Sequence, residues 1–229
     1  MGFLTSSIGR KFMMALTGFF LMIFLFVHLA VNLALLAGAE DASGNLLPKE
    51  EILFNQASHF MATNPVIQIM QFVLAAGFIY HIFLGITLTL KNKKARGSKS
   101  YAVNSWSAHT PLASRTMIYT GILVLLFLCI HIIDFMIPIK SGQVEELFPQ
   151  LGDYGLVKAK FENVVYVIIY VISFILLGIH LSHGFTSAFQ SVGMNHKKYN
   201  TIIKYSGATY FWFISLGFSI IAVYFFVTK

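Results

Sequence analysis

Four histidines stand inside long apolar runs: His28, His81, His131 and His180. An ionisable ring among Val, Ile, Leu and Phe is costly to keep unless its nitrogen is used, so such residues are functional candidates. Imidazole suits iron, and a six-coordinate haem b needs two neutral imidazoles on opposite faces of one porphyrin. Four such residues on four helices could hold two haems b. One buried histidine alone would more simply be a hydrogen-bonded contact between helices; the set of four is what points to haem. The chain has no Cys-x-x-Cys-His, which excludes a covalently attached c-type haem. Cys129 is the only cysteine, so no internal disulfide forms.

The elements that must position these rings are membrane spans. Of the 229 residues, 57% are hydrophobic and 11% charged, with a mean hydropathy of +0.74. Soluble domains carry about 25% charge, so the bilayer is the expected solvent for most of this chain. Five runs reach the roughly 20 residues a crossing helix needs: 12–36, 65–90, 115–137, 164–189 and 205–227. The whole chain, 1–229, then reads as one membrane domain. The first run has a basic flank, Arg10-Lys11, but is too long for a signal peptide and keeps His28, so it reads as a retained span. Between runs one and two, residues 51–61 could form a short surface helix.

Charge alternates between the connections. Arg10, Lys11, the second loop (Lys91, Lys93, Lys94, Arg96, Lys99) with Arg115, and the fourth loop (Lys197, Lys198, Lys204) fall on one side. All nine acids fall on the other side or at the ends of spans facing it. The Lys/Arg bias orients the amino terminus to the cytoplasm and the carboxyl terminus outside. The net charge of +7 is therefore a topology signal rather than a nucleic-acid-binding face.

Depth sorts the histidines. His28 and His131 lie about 16 residues from the cytoplasmic ends of their runs, roughly 24 Å at helical rise. His81 and His180 lie about 10 residues in, roughly 15 Å. His28 thus pairs with His131 at an outer level, and His81 with His180 at an inner one. Four histidines at one depth would have suited zinc; two depths argue against it. Spans one and two present an outer then an inner histidine, and spans three and four do so again, as in two parallel halves. Span five has none and is expected outside a four-helix di-haem core. Gly77, Gly85 and Gly184, one turn from His81 or His180, could let a flat macrocycle approach the backbone.

The other candidates carry less. His183 lies one turn after His180 and is an alternative ligand. His59, near the outer mouth, is a surface residue that could serve quinone or proton traffic. His109 and His196 sit in basic loops, solvated or facing a partner. Arg10, Lys11 and Arg115 are interfacial anchors that could contact haem propionates. Asn32, His59 and Gln71, near the outer ends of spans one and two, could bond a quinone carbonyl.

Several motifs resemble a known family. Ser6-Ser7-Ile8-Gly9-Arg10-Lys11, Val27-His28-Leu29-Ala30-Val31-Asn32, Ala57-Ser58-His59-Phe60-Met61, Ile79-Tyr80-His81 and Gly178-Ile179-His180-Leu181-Ser182-His183-Gly184 look like the five-helix, two-haem cytochrome b subunit of succinate dehydrogenase/fumarate reductase. The similarity runs over essentially the whole chain. In that family each of the first four spans carries one histidine ligand, at positions matching His28, His81, His131 and His180. The resemblance implies a flavoprotein that interconverts succinate and fumarate and an iron–sulfur subunit docked on the basic cytoplasmic face. It also implies a quinone, often menaquinone, reacting near the outer haem, in a bacterial cytoplasmic membrane. No dicarboxylate chemistry falls on this chain. Some members carry acids inside their spans that are thought to move protons; here the only acid near a span is Asp134. The same physical kit would serve the cytochrome b of a hydrogenase or formate dehydrogenase. A haem-free anchor or a transporter is the contrasting reading, and the lack of broken-helix signals and intramembrane carboxylates argues against transport.

Overall fold

The computed structural model describes residue 2, residues 6–96 and residues 112–229, the side chains of 96 and 112–115 excepted. Among them the chain is helical, with no β-strand and one isolated bridge, Glu40 to Leu46. Helix α1 spans Ser7–Asn32 and runs on into a 3-10 turn, Leu33–Ala37. The Ser6 hydroxyl starts it by accepting the Gly9 N–H at 3.0 Å, an N-cap that satisfies one orphan donor. Short α2, Leu53–Thr63, gives the expected surface helix and stops at Asn64 before Pro65, whose missing N–H costs nothing at a first helical position. Helix α3 then runs Pro65–Arg96.

The third crossing is not one regular helix. Helix α4, Leu112–His131, widens into a π turn over Ile132–Met136 before α5, Ile137–Ser141. Pro138 accounts for this, because a proline cannot donate to the carbonyl four residues back and its ring clashes there. The Ile137 N–H instead bonds the Ile132 carbonyl, five residues back. The crossing stays continuous through this turn. Two short helices that the sequence reading left as loop follow, α6 (Gln143–Leu147) and α7 (Gly152–Phe161). Helix α8, Val164–Ser191, is capped by the Asn163 side chain, which accepts the Val165 N–H at 2.9 Å. Helix α9, Lys197–Val227, starts at His196, whose Nδ1 accepts the Lys198 N–H. His196 is thus a helix cap.

Among the described residues five stretches are long and apolar enough to cross a membrane: Ser7–Ala37, Pro65–Ala95, Thr116–Ser141, Val164–Ser191 and Lys197–Val227. They extend the expected runs at most ends. The lysines that end an apolar run do not end a helix, since their aliphatic stems lie along it while the ammonium reaches water. Alternation of these crossings gathers the acids at one end with α2, α6 and α7, here termed the capped end. At the other end, the basic end, lie Lys91, Lys93, Lys94, Lys197, Lys198 and Lys204.

Helices α8 and α9 share the most extensive contact. Helix α1 packs on α3, α8 and α9, and α4 packs on α8, whereas α3 and α4 touch little. Gly178 lets α8 and α9 approach: a Cβ there would overlap the Phe211 ring and Ser215 Oγ. Ser215, buried, donates to the Phe174 carbonyl at 2.7 Å across the same seam. The apolar core lies toward the capped end, where Leu35, Ile52, Phe161, Tyr170, Ile214 and Phe225 are buried together. Helix α3 is the least buried crossing and turns Phe72, Ile79 and Phe83 outward, as lipid contact requires.

Candidate functional site

The structure brings the four histidines together two by two. His28 on α1 and His131 at the end of α4 have ring centroids 5.8 Å apart, with planes at 87°. His81 on α3 and His180 on α8 have centroids 6.5 Å apart, with planes at 73°. With a metal–imidazole bond of about 2.0–2.1 Å and roughly 1.1 Å from nitrogen to ring centre, two rings trans across one ion have centroids about 6.3 Å apart. The two observed separations bracket that value. Among the described residues no three metal-ligating side chains come together. Each meeting place thus brings two imidazoles together.

Each pair has its own surroundings. The pair nearer the capped end is walled by aromatic rings: Phe24 stacks on His28 at 5.3 Å, and Phe127, Phe135 and Tyr170 lie within 6.3 Å of His131. Nδ1 of His131 is buried with no hydrogen-bond partner, the one such side-chain atom among the described residues. Buried polar atoms are nearly always paired, so an orphan nitrogen calls for a partner outside the polypeptide. The pair nearer the basic end has hydroxyl neighbours instead. Thr17 Oγ1 lies 3.1 Å from His81 Nδ1, and Thr120 Oγ1 lies 3.2 Å from His180 Nδ1.

The glycines near the ligands differ in what they face. Gly77 faces Phe20 and Gly85 faces Met14, both on α1, so they serve helix packing. Gly184 faces open space. The glycines that do leave room beside a histidine ring are Gly18, where a Cβ would come within 3.9 Å of His81 Cε1, and Gly121, within 3.4 Å of His180 Cε1. Sequence reasoning missed these and the two threonines. The signal was present as a repeated Thr-Gly-x9-His, Thr17-Gly18 to His28 and Thr120-Gly121 to His131.

The remaining expected residues are not gathered into one site. The Asn32 amide donates to the His28 carbonyl one turn back at 2.8 Å, and the Gln71 amide donates to Gln68 at 2.7 Å. His59 lies exposed on α2, and no hydrogen bond joins these three residues. Arg10, half-buried, and exposed Lys11 occupy the start of α1. The side chain of Arg115, and His109, lie outside the described residues. His183 is half-buried one turn beyond His180.

A buried ion pair closes the capped end beside His131. Asp134, 6% exposed, accepts from Lys160 Nζ at 2.8 Å and from the Tyr170 hydroxyl at 2.8 Å. It sits in the π turn, three residues after His131, and ties the third crossing to α7 and α8. Removing one partner of a buried pair strands the other. Asp134→Ala is expected to cost about 2–3 kcal/mol, below the 3–5 of fully buried pairs because Lys160 is partly exposed. A thermal melt in detergent checks this; an unchanged midpoint would show that water replaces the carboxylate. Elsewhere at this end, Glu145 beside Lys49 holds its ammonium above the usual lysine range. The backbone N–H of Asn45 holds Asp41 below the usual carboxylate range.

Comparison with protein-family models, with curated proteins and with solved structures gave no match. What length, apolarity and packing define is a helical, multi-pass membrane protein. Within it, four of the five crossings carry a histidine that meets one other.

Proposed function

We propose that this chain is a di-haem cytochrome b, the membrane anchor of a succinate:quinone oxidoreductase-type complex. The observation that carries the reading is the meeting of His28 with His131 and His81 with His180 at ring separations suited to trans ligation of one iron. Bound haem would supply one-electron chemistry; the chain supplies ligands, spacing and a dry surround. The four histidine-bearing crossings would form the di-haem core, with α9 alongside α1 and α8. Among the described residues α1 and α4, and likewise α3 and α8, make little backbone contact, which supports that arrangement, since a macrocycle between two ligand helices holds their backbones apart.

The finer assignments follow the family resemblance. The amino terminus is cytoplasmic, in a bacterial inner membrane, and the basic end receives an iron–sulfur subunit that is joined to a flavoprotein. Electrons then pass between that subunit and the His81–His180 haem, and between the His28–His131 haem and a membrane quinone, which we take as menaquinone. Asn32, His59 and Gln71 lie at the quinone end, and Arg10, Lys11 and Arg115 at the end where propionates of the inner haem would be met. Two haems are useful only if electrons traverse the bilayer, which places the quinone opposite the docking face.

The test is haem content and company. Purified protein is expected to give two haems b per chain by pyridine haemochrome, and a reduced-minus-oxidised spectrum with b-type bands. One haem, a c-type spectrum or none would overturn the reading. Native co-purification is expected to bring a flavoprotein and an iron–sulfur protein; hydrogenase or formate dehydrogenase subunits would move the chain to that other electron-transfer class.

A further inference from the structure

We propose that Thr17 and Thr120 are positioning residues that set the tautomer and ring orientation of His81 and His180, a role that rests on the di-haem reading. Each threonine sits on a different helix from the histidine it meets: Thr17 on α1 faces α3, and Thr120 on α4 faces α8.

The direction of each bond follows from counting protons. A hydroxyl carries one hydrogen and two acceptor sites. Thr17 Oγ1 lies 3.1 Å from the Met13 carbonyl and 3.0 Å from the Met14 carbonyl, acceptors that can only receive. With its hydrogen on either carbonyl, the oxygen has a lone pair left to accept from His81. Thr120 repeats this against the Thr116 and Met117 carbonyls, at 3.3 and 3.0 Å. In that arrangement each histidine carries its proton on Nδ1 and donates it to threonine. That leaves Nε2 with the lone pair, the nitrogen free to take a metal. Which nitrogen of a ring is metallated is set by the bond the other makes.

The two pairs differ here. His131 Nδ1 has no partner at all, whereas both rings of the other pair are held. Thr17 and Thr120 therefore act on one haem, from its two faces. Of the glycines next in sequence, Gly121 leaves room beside His180, where a Cβ would lie 3.4 Å from Cε1, whereas at Gly18 it would make an ordinary 3.9 Å contact with His81 Cε1. A donated Nδ1 proton makes imidazole a more basic ligand and favours the ferric state.

The experiment is a redox titration with low-temperature EPR on the purified holoprotein, comparing wild type with Thr17→Val, Thr120→Val and Thr17→Ser. Valine keeps the shape and removes the oxygen. Each valine variant is expected to keep two haems and to raise the midpoint potential of the same single haem, moving that haem's low-spin EPR signal and leaving the other's in place. Thr17→Ser is expected to restore the wild-type values. Two haems with unchanged potentials and signals in both valine variants would overturn the inference, as would shifts falling on different haems. Wild-type protein without haem would instead overturn the di-haem reading itself. Should Thr17→Val not assemble, Thr120→Val alone decides, because it acts on the same iron.

Discussion

On the proposed di-haem reading, His81→Ala is expected to yield a protein with one haem in place of two, the survivor being that held by His28 and His131. The two rings of each pair face each other, and no ring of one pair is within contact of the other pair among the described aromatic contacts. A haem deprived of one strong axial ligand in an apolar bundle loses both its coordinate bond and the geometry that the second ligand depends on. His28→Ala is expected to give the complementary result, leaving the His81–His180 haem. The two variants are told apart by which component disappears from the redox titration. Haem content falling by half in each, with different survivors, is the expected result. Equal weakening of both haems in each variant would deny the pairing. His183→Ala is the control and keeps both, because His180 is the residue that faces His81.

The second large effect acts through helix packing rather than through a histidine ring. Gly178→Ala is expected to destabilise the folded bundle by about 1–3 kcal/mol, the usual cost of forcing extra atoms into a packed seam, and Gly178→Val by more. The added Cβ has nowhere to go: the Phe211 ring and Ser215 Oγ already occupy its place. Pushing α9 away also breaks the Ser215 bond to the Phe174 carbonyl, leaving a hydroxyl unpaired in an apolar seam. Gly184→Ala, on the same helix with open space around it, is the matched control and is expected to be neutral or stabilising. Melting curves in detergent read both. Equal melting points for Gly178→Ala and Gly184→Ala would show that the α8–α9 seam yields freely.

Gly178 illustrates what the sequence could and could not show. It belongs to the Gly178–Gly184 motif that drew attention to His180, and its type is plain in the sequence, but its purpose is packing against α9. That partner is chosen by which faces of two helices meet, and nothing local to residues 178–184 contains that information. Gly77 and Gly85 make the same point: one turn from His81 along the helix, they face Phe20 and Met14 of α1.

Local properties were legible. Five crossings follow from apolar length, because the backbone must satisfy itself wherever lipid surrounds it. The grouping of His28 with His131 and His81 with His180 follows from counting residues along helices of known rise, and those are the rings that meet. Helix α2 and the division of charge between the two ends were equally readable. Tertiary structure alone decided the rest. It set Asp134, carried in the π turn before Pro138, against Lys160 of α7 and Tyr170 of α8, which makes the one acid near a span a buried tie. It also set Thr17 against His81 and Thr120 against His180. The Thr-Gly-x9-His repeat stood in the sequence, but a threonine's Oγ reaches only a few ångströms, and which histidine it meets depends on the packing of α1 on α3 and of α4 on α8. Depth along a helix is fixed by the count of residues; azimuth around it is fixed only by the neighbours.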